Sequence, residues 1–186
     1  RSATFSMKGN GDVLATYPTI LYEEDGSPKG MAIKVDVDGS SFPVLLKNVV
    51  GTQHIYPIIA AFTVAHELKL NLIKVSTAFS DHEFPPGRMN IIAGKKHSTI
   101  IDDTYNASPL AVEEGISILN SIDSKGKKIA ILGDMLELGK HSVEEHMRIG
   151  ALATPVFDKI IAVGIRSKDF LLGAKNKKKK DKDIHW

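Results

Sequence analysis

Two apolar runs, "KKIAILGD" at 127–134 and "KIIAVG" at 159–164, stand on either side of "SVEEHMRIGALA" at 142–153. A continuous apolar run is what a strand buried on both faces of a parallel sheet requires, and the segment between the runs has a helical pattern. Upstream lies another helical pattern over 109–122, with Val112, Ile116, Leu119 and Ile122 on one face. Ser108 is placed to cap it and Pro109 to occupy its first turn. Before it, "RMNIIAG" and "HSTIID" read as short strands around the turn "AGKK". The order β, β, α, β, α, β predicts a Rossmann-like α/β sheet, in which ligands collect beyond the carboxyl ends of strands.

The first part of the chain has a different texture. "MAIKVDVD" alternates Met31, Ile33, Val35 and Val37 with Lys34, Asp36 and Asp38, and "SFPVLLK" continues with Phe42, Val44 and Leu46 on one side. Asp25-Gly26 and Asp38-Gly39 mark turns, so residues 12–50 predict a small antiparallel meander. A helix follows from Pro57 to Leu70, apolar on most sides and therefore expected to be buried, and a short helix over 72–79 comes next. "DHEFPPGR" breaks the pattern, which places a domain boundary at 85–87 and divides the chain into 1–86 and 87–186.

Composition narrows the classes of function. The 186 residues are 42% hydrophobic and 25% charged, an ordinary globular balance, and no apolar run has the length of a membrane span. There is no cysteine, which removes disulfides, thiolate metal sites and a cysteine nucleophile and is compatible with a reducing cytoplasm. The seven histidines show no zinc spacing: His141 and His146 are five apart, so no metal site is expected. The net charge of +2 hides an asymmetry, because "AKNKKKKDKD" holds six Lys and two Asp and leaves the remainder at −2. That run reads as a solvated loop or frayed end rather than a nucleic-acid site. The opening "RSATFSMKGNG" reads as a cut into an existing domain, so the chain is expected to be a fragment.

Several strand ends carry polar groups. "TIIDDTYNASP" places Asp102 and Asp103 side by side; neighbouring residues of a strand point to opposite faces, so the two do not form a close acid–base pair. One carboxylate at such a position suits the hydroxyls of a ribose, and the other suits a salt bridge or a turn. Arg88, after two prolines and a glycine, offers paired N–H donors to a phosphate or clamps two domains together. In "GDMLELG", Asp134 and Glu137 are acceptors for a cation or metal-bound water, or Asp134 caps the turn that follows. "AGKKHS" lacks the first Gly of a Walker A loop, where Met89 stands, and no G-x-S-x-G elbow occurs.

Taken together, "PPGRMNII", "TIIDDTYNASP" and "KKIAILGDMLELG", in this order, closely resemble the Mur ligases, and most of all the branch that adds D-alanyl-D-alanine to the UDP-N-acetylmuramoyl tripeptide. The resemblance runs from about Val49 to Gly164 and more weakly through the meander. It implies a cytoplasmic, monomeric, ATP- and Mg2+-dependent ligase of peptidoglycan synthesis, serving cell-wall biogenesis, cell shape and division. In that family ATP phosphorylates the substrate carboxylate and an amine attacks the acyl phosphate, a reaction run by positioning and charge neutralisation. Two magnesium ions and a carbamylated lysine of the central domain help to hold the phosphates.

By position, the resemblance makes Arg88 the arginine of the domain hinge, which contacts the nucleotide, and Asp103 the ribose aspartate, with Asp102 in reserve. Tyr105, Asn106 and Ser108 fall in the loop that faces the reaction centre and the dipeptide. Gln53 and His54 fall at the adenine, although "GTQHIYPIIAA" departs there from the family's Gly-x-His-Asn pattern and has Pro57 at a further Asn. Residues 1–86 would be the end of the central ATP-binding domain and 87–186 most of a Rossmann-like C-terminal domain. The P-loop, the carbamylated lysine and the magnesium ligands are absent from the 186 residues, so the chain alone is expected to be inactive. Two other readings remain: a non-catalytic nucleotide- or ligand-binding module, and another Mur or folate-type branch. "DDTYNASP" argues against the latter, because those relatives carry an Asp-Tyr-Ala-His type of loop.

Overall fold

The computed structural model describes residues 2–177 and 183–186. Most of the lysine run, 178–182, lies outside the described residues. Packing divides the chain into two compact units, one ending at Asp103 and one beginning at Thr104, each with its own hydrophobic core.

The first unit is built on the expected meander. Strands β1 (Phe5–Ser6), β2 (Val13–Tyr22), β3 (Pro28–Val37) and β4 (Ser40–Lys47) lie in that order in a four-stranded sheet, antiparallel except for the β1–β2 pair. Asp38 and Gly39 connect β3 to β4 with φ of 46° and 74°, the double left-handed geometry that matches a hairpin's twist. The alternation in β3 sends Met31, Ile33, Val35 and Val37 into one core, where Val44 and Leu46 of β4 join them. Helix α1 (Ile55–Glu67) adds Ile55, Ile58, Ile59 and Phe62 to that core. Its Tyr56 and Val64 are exposed, as is Leu68 just past its end, so the burial expected of this helix is corrected to one buried face. A helix on a sheet has only one side against it, and the surplus apolar residues fall on the other.

Helix α2 (Leu72–Ser80) starts at Asn71, whose side chain accepts from the backbone N–H of Ile73 and Lys74 at 3.0 and 3.2 Å. Strands β5 (Asn90–Ala93) and β6 (Thr99–Asp102) then form the expected hairpin. Its hydrogen bonds tie it to the end of the meander, through the Val49–Asn90 bridge and Ile91 N–H donating to the Asn48 carbonyl at 2.8 Å. The hairpin is a separate two-stranded sheet, not the first part of the parallel one.

In the second unit, α3 (Pro109–Ser121) precedes β7 (Ile129–Gly133), α4 (Ser142–Ala153), β8 (Lys159–Val163), α5 (Lys168–Asn176) and β9 (Ile184–His185). Strands β7, β8 and β9 form a three-stranded parallel sheet. Ala130, Ile160 and Ala162 pack with Ile149, Ala153, Phe170 and Ala174 of the two following helices. Ile129 and Ile131 are 52% and 69% exposed, which corrects the expectation that this strand is buried on both faces. The pleat sends alternate residues to opposite faces, and the α4–α5 layer takes only one of them.

Candidate functional site

Of the residues singled out in the sequence, Gln53, His54, Arg88, Asp102 and Asp103 belong to the first unit, and the structure brings His54, Arg88 and Asp103 together. After "PPG" the chain enters β5 through Arg88 and Met89. Met89 is 2% exposed with φ of 54°, a left-handed conformation unfavourable for any residue with a side chain. All four backbone polar groups of this pair are engaged. Arg88 N–H donates to Asn90 Oδ1 at 3.0 Å, and the Arg88 carbonyl lies 3.0 Å from His54 Nε2. Met89 N–H donates to Asp103 Oδ1 at 3.2 Å, and the Met89 carbonyl accepts from Val50 N–H at 3.1 Å. This satisfaction of the main chain is what allows a buried, left-handed methionine to persist.

The Arg88 side chain is exposed, while Asp103 is half-buried at the end of β6. Burial pushes the Asp103 carboxyl above its ordinary range, against the opposing pull of the Met89 N–H and the Arg88 charge; Asp102 adds to the rise. Asp102 itself is the last residue of β6 and pairs in register with Asn90. His54 is buried at 8% exposure, and burial holds its imidazole below the usual range, against the opposing pull of its bond to the Arg88 carbonyl and with a smaller contribution from the Arg88 charge. The Phe84 ring meets it edge-on at 4.7 Å. Gln53 is exposed, and its carboxamide lies over Gly51, where φ is 118° and a side chain would collide with it.

Tyr105, Asn106 and Ser108 belong to the second unit. Tyr105 is 70% exposed. Asn106 Oδ1 accepts from the N–H of Ala107 at 2.9 Å, a local bond that shapes the loop. Ser108 Oγ accepts from Ala111 N–H at 3.4 Å, so this hydroxyl caps α3 as its position before Pro109 implies.

The "GDMLELG" loop resolves into structural parts. Asp134 Oδ1 accepts from the N–H groups of Arg166 and Ser167, at 3.0 and 2.7 Å. It therefore braces the turn before α5, rather than the turn that follows it in sequence. Glu137 is exposed with φ of 62°. His146, which sequence reasoning missed as a functional or structural group, is fully buried and pins this loop to α4. Its Nε2 accepts from Met135 N–H at 3.1 Å, which makes Nδ1 the protonated nitrogen that donates to the Ser142 carbonyl at 2.7 Å. The available signal was its spacing with Ile149 and Ala153 along the apolar face of α4. No group of three or more His, Cys, Asp or Glu among the described residues is arranged to hold a metal ion.

A meander followed by a clamped arginine and a parallel α/β unit defines a two-part α/β chain with polar groups presented at strand ends. A family model described as "Mur ligase, glutamate ligase domain" matches residues 87–184, more than half of the sequence, and the chain belongs to the Mur ligase family. The UDP-N-acetylmuramoyl-tripeptide--D-alanyl-D-alanine ligase of Buchnera aphidicola is 31% identical over 172 residues, covering 92% of this chain and 35% of that protein. Among solved structures, MurF from Acinetobacter baumannii superposes with a TM-score of 0.80 at 28% identity over 98% of this chain and 37% of its own. MurF ligase from Thermotoga maritima in complex with ADP gives 0.71 at 26% identity, over 98% of this chain and 38% of its own. The chain thus spans little more than a third of the length of these relatives.

Proposed function

We propose that this chain supplies part of an ATP-dependent, amide-forming ligase that joins D-alanyl-D-alanine to UDP-N-acetylmuramoyl tripeptide in peptidoglycan precursor synthesis. The observation that carries the reading is the Arg88–Met89 segment, fixed at every backbone polar group while Arg88 as a residue is exposed to solvent. It stands in a sequence 31% identical to an enzyme named for that reaction. ATP would supply the phosphoryl group that activates the tripeptide carboxylate. Arg88 then offers paired N–H donors to the nucleotide's phosphates, and Asp103, with Oδ1 held by Met89, offers its other oxygen to a ribose hydroxyl. Gln53 presents an exposed carboxamide for the base. Tyr105, Asn106 and Ser108 are assigned to the reacting dipeptide, with Ser108 acting through the start of α3.

The reading places residues 1–86 at the end of a central ATP-binding domain and 87–186 in the C-terminal ligase domain; the start of the family match at Gly87 supports it. Magnesium is assigned to residues outside this chain, and the working setting to the cytoplasm, as a monomer. No helix among the described residues is long and apolar enough to cross a membrane. The test is kinetic, in the complete ligase. Arg88→Ala is expected to reduce kcat/KM for ATP by about tenfold or more with little change in Tm, because the lost contact is charge-assisted and the side chain is exposed. An unchanged rate at every ATP concentration refutes the assignment of Arg88, and efficient use of a single amino acid in place of the dipeptide refutes the branch.

A further inference from the structure

We infer that His54 is a positioning residue that acts on the nucleotide through Arg88, by holding the Arg88–Met89 backbone, and not a residue that touches the base. The inference rests on the nucleotide-site reading above. His54 is 8% exposed, its ring is covered by the edge of Phe84, and Nε2 lies 3.0 Å from the Arg88 carbonyl. A carbonyl only accepts, so Nε2 carries the hydrogen. The ring stands on firm ground: His54 immediately precedes α1, whose Ile55, Ile58 and Ile59 are buried in the first core.

The segment it grips needs holding. A left-handed Met89 relaxes toward ordinary backbone angles unless its surroundings determine otherwise. Of the four restraints on the Arg88–Met89 pair, one is the side chain of the adjacent Asn90 and one is the backbone N–H of Val50, beside the Val49–Asn90 bridge. The other two are the side chains of His54 and Asp103. Together they set the peptide between Arg88 and Met89 from both sides: His54 binds its carbonyl oxygen and Asp103 binds its N–H. Rotation of that peptide redirects the Arg88 side chain and breaks the Asp103 contact in one movement. Loss of the His54 donor therefore loosens the guanidinium and the ribose carboxylate together.

The experiment is a double-mutant cycle in the complete ligase, with His54→Phe to keep a ring against Phe84 while removing the donor, and Arg88→Ala. His54→Phe is expected to raise KM for ATP about tenfold in the wild-type background and by a much smaller factor in Arg88→Ala, where only the part carried through Asp103 is left. His54→Gln, whose amide also donates, is expected to recover most of the loss. Additive effects would mean that His54 meets the nucleotide independently, and they overturn the inference. So does a His54→Phe enzyme with wild-type KM, or a Gln variant no better than Phe. Should His54→Phe not fold, nitrogen-15 NMR of the unmodified chain decides: the Nε2–H tautomer is expected, and the Nδ1–H tautomer overturns the proposal. A silent Arg88→Ala removes the nucleotide-site reading itself, whereas an impaired Arg88→Ala beside a silent His54→Phe removes only the positioning role.

Discussion

Asp103 carries two demands on one side chain. Its Oδ1 holds the N–H of a left-handed residue, and its partial burial makes ionisation costly. Because the folded-state pKa lies above the unfolded one, the group's stabilising contribution is full below the ordinary carboxylate range and is lost as pH rises through the raised value. Asp103→Asn keeps an acceptor for Met89 and discards the charge. The variant is expected to be as stable as wild type or more so at neutral pH, with a flatter pH profile in urea unfolding, yet to bind nucleotide more weakly. A variant that is less stable at neutral pH than at acid pH, like the parent, would remove the carboxylate as the source of that slope. Both Arg88 and Asp103 were legible in the sequence as candidate groups, but their link was not, because it passes through a buried methionine whose φ no residue pattern announces. His54 shows the same limit. Its position suggested the base, and only the fold reveals that Nε2 is committed to the Arg88 carbonyl.

At the level of elements, the α4–α5 pair is held close by glycines. A Cβ on Gly150 would collide with the backbone of Phe170, and one on Gly173 with the backbone of Met147. Alanine gains roughly 1 kcal/mol of helix propensity over glycine, but forcing atoms into packed backbone costs up to about 3 kcal/mol, so the collision wins. Gly150→Ala is expected to destabilise by about 2 kcal/mol, a fall of roughly 10 °C in the midpoint of this unit. Gly115 lies in α3 with nothing near its would-be Cβ, and Gly115→Ala is expected to stabilise by about 0.5–1 kcal/mol. Thermal melts of the two variants side by side test the argument, since opposite signs are required. Periodicity made these elements readable, and Asp38-Gly39 and Ser108-Pro109 marked their ends through local chemistry. What periodicity could not show was which apolar faces are covered: Ile131 in β7 and Val64 in α1 look like core residues in sequence and stand exposed.

For the whole molecule, the packing units and the family match divide the chain at different points, after Asp103 and at Gly87. The hairpin β5–β6 accounts for the difference: it lies within the family match, yet its main-chain bonds join it to the meander. The residues assigned to the nucleotide, Gln53, Arg88 and Asp103, therefore all belong to the first packing unit. Phosphoryl transfer depends on cradling the phosphates and neutralising their charge, usually with a glycine-rich loop and a metal. The 186 residues contain no Walker A sequence, and no metal-holding group occurs among the described residues. Under the proposed assignment, one exposed arginine and one carboxylate bonded to Met89 N–H would orient a nucleotide without activating it. The purified chain, given ATP, magnesium, UDP-N-acetylmuramoyl tripeptide and D-alanyl-D-alanine, is accordingly expected to release no phosphate above background. The complete ligase should release one phosphate for each amide formed. Release by the chain alone at a comparable rate would require a phosphate cradle built from residues 1–186, and would overturn the expectation that the chain alone is inactive.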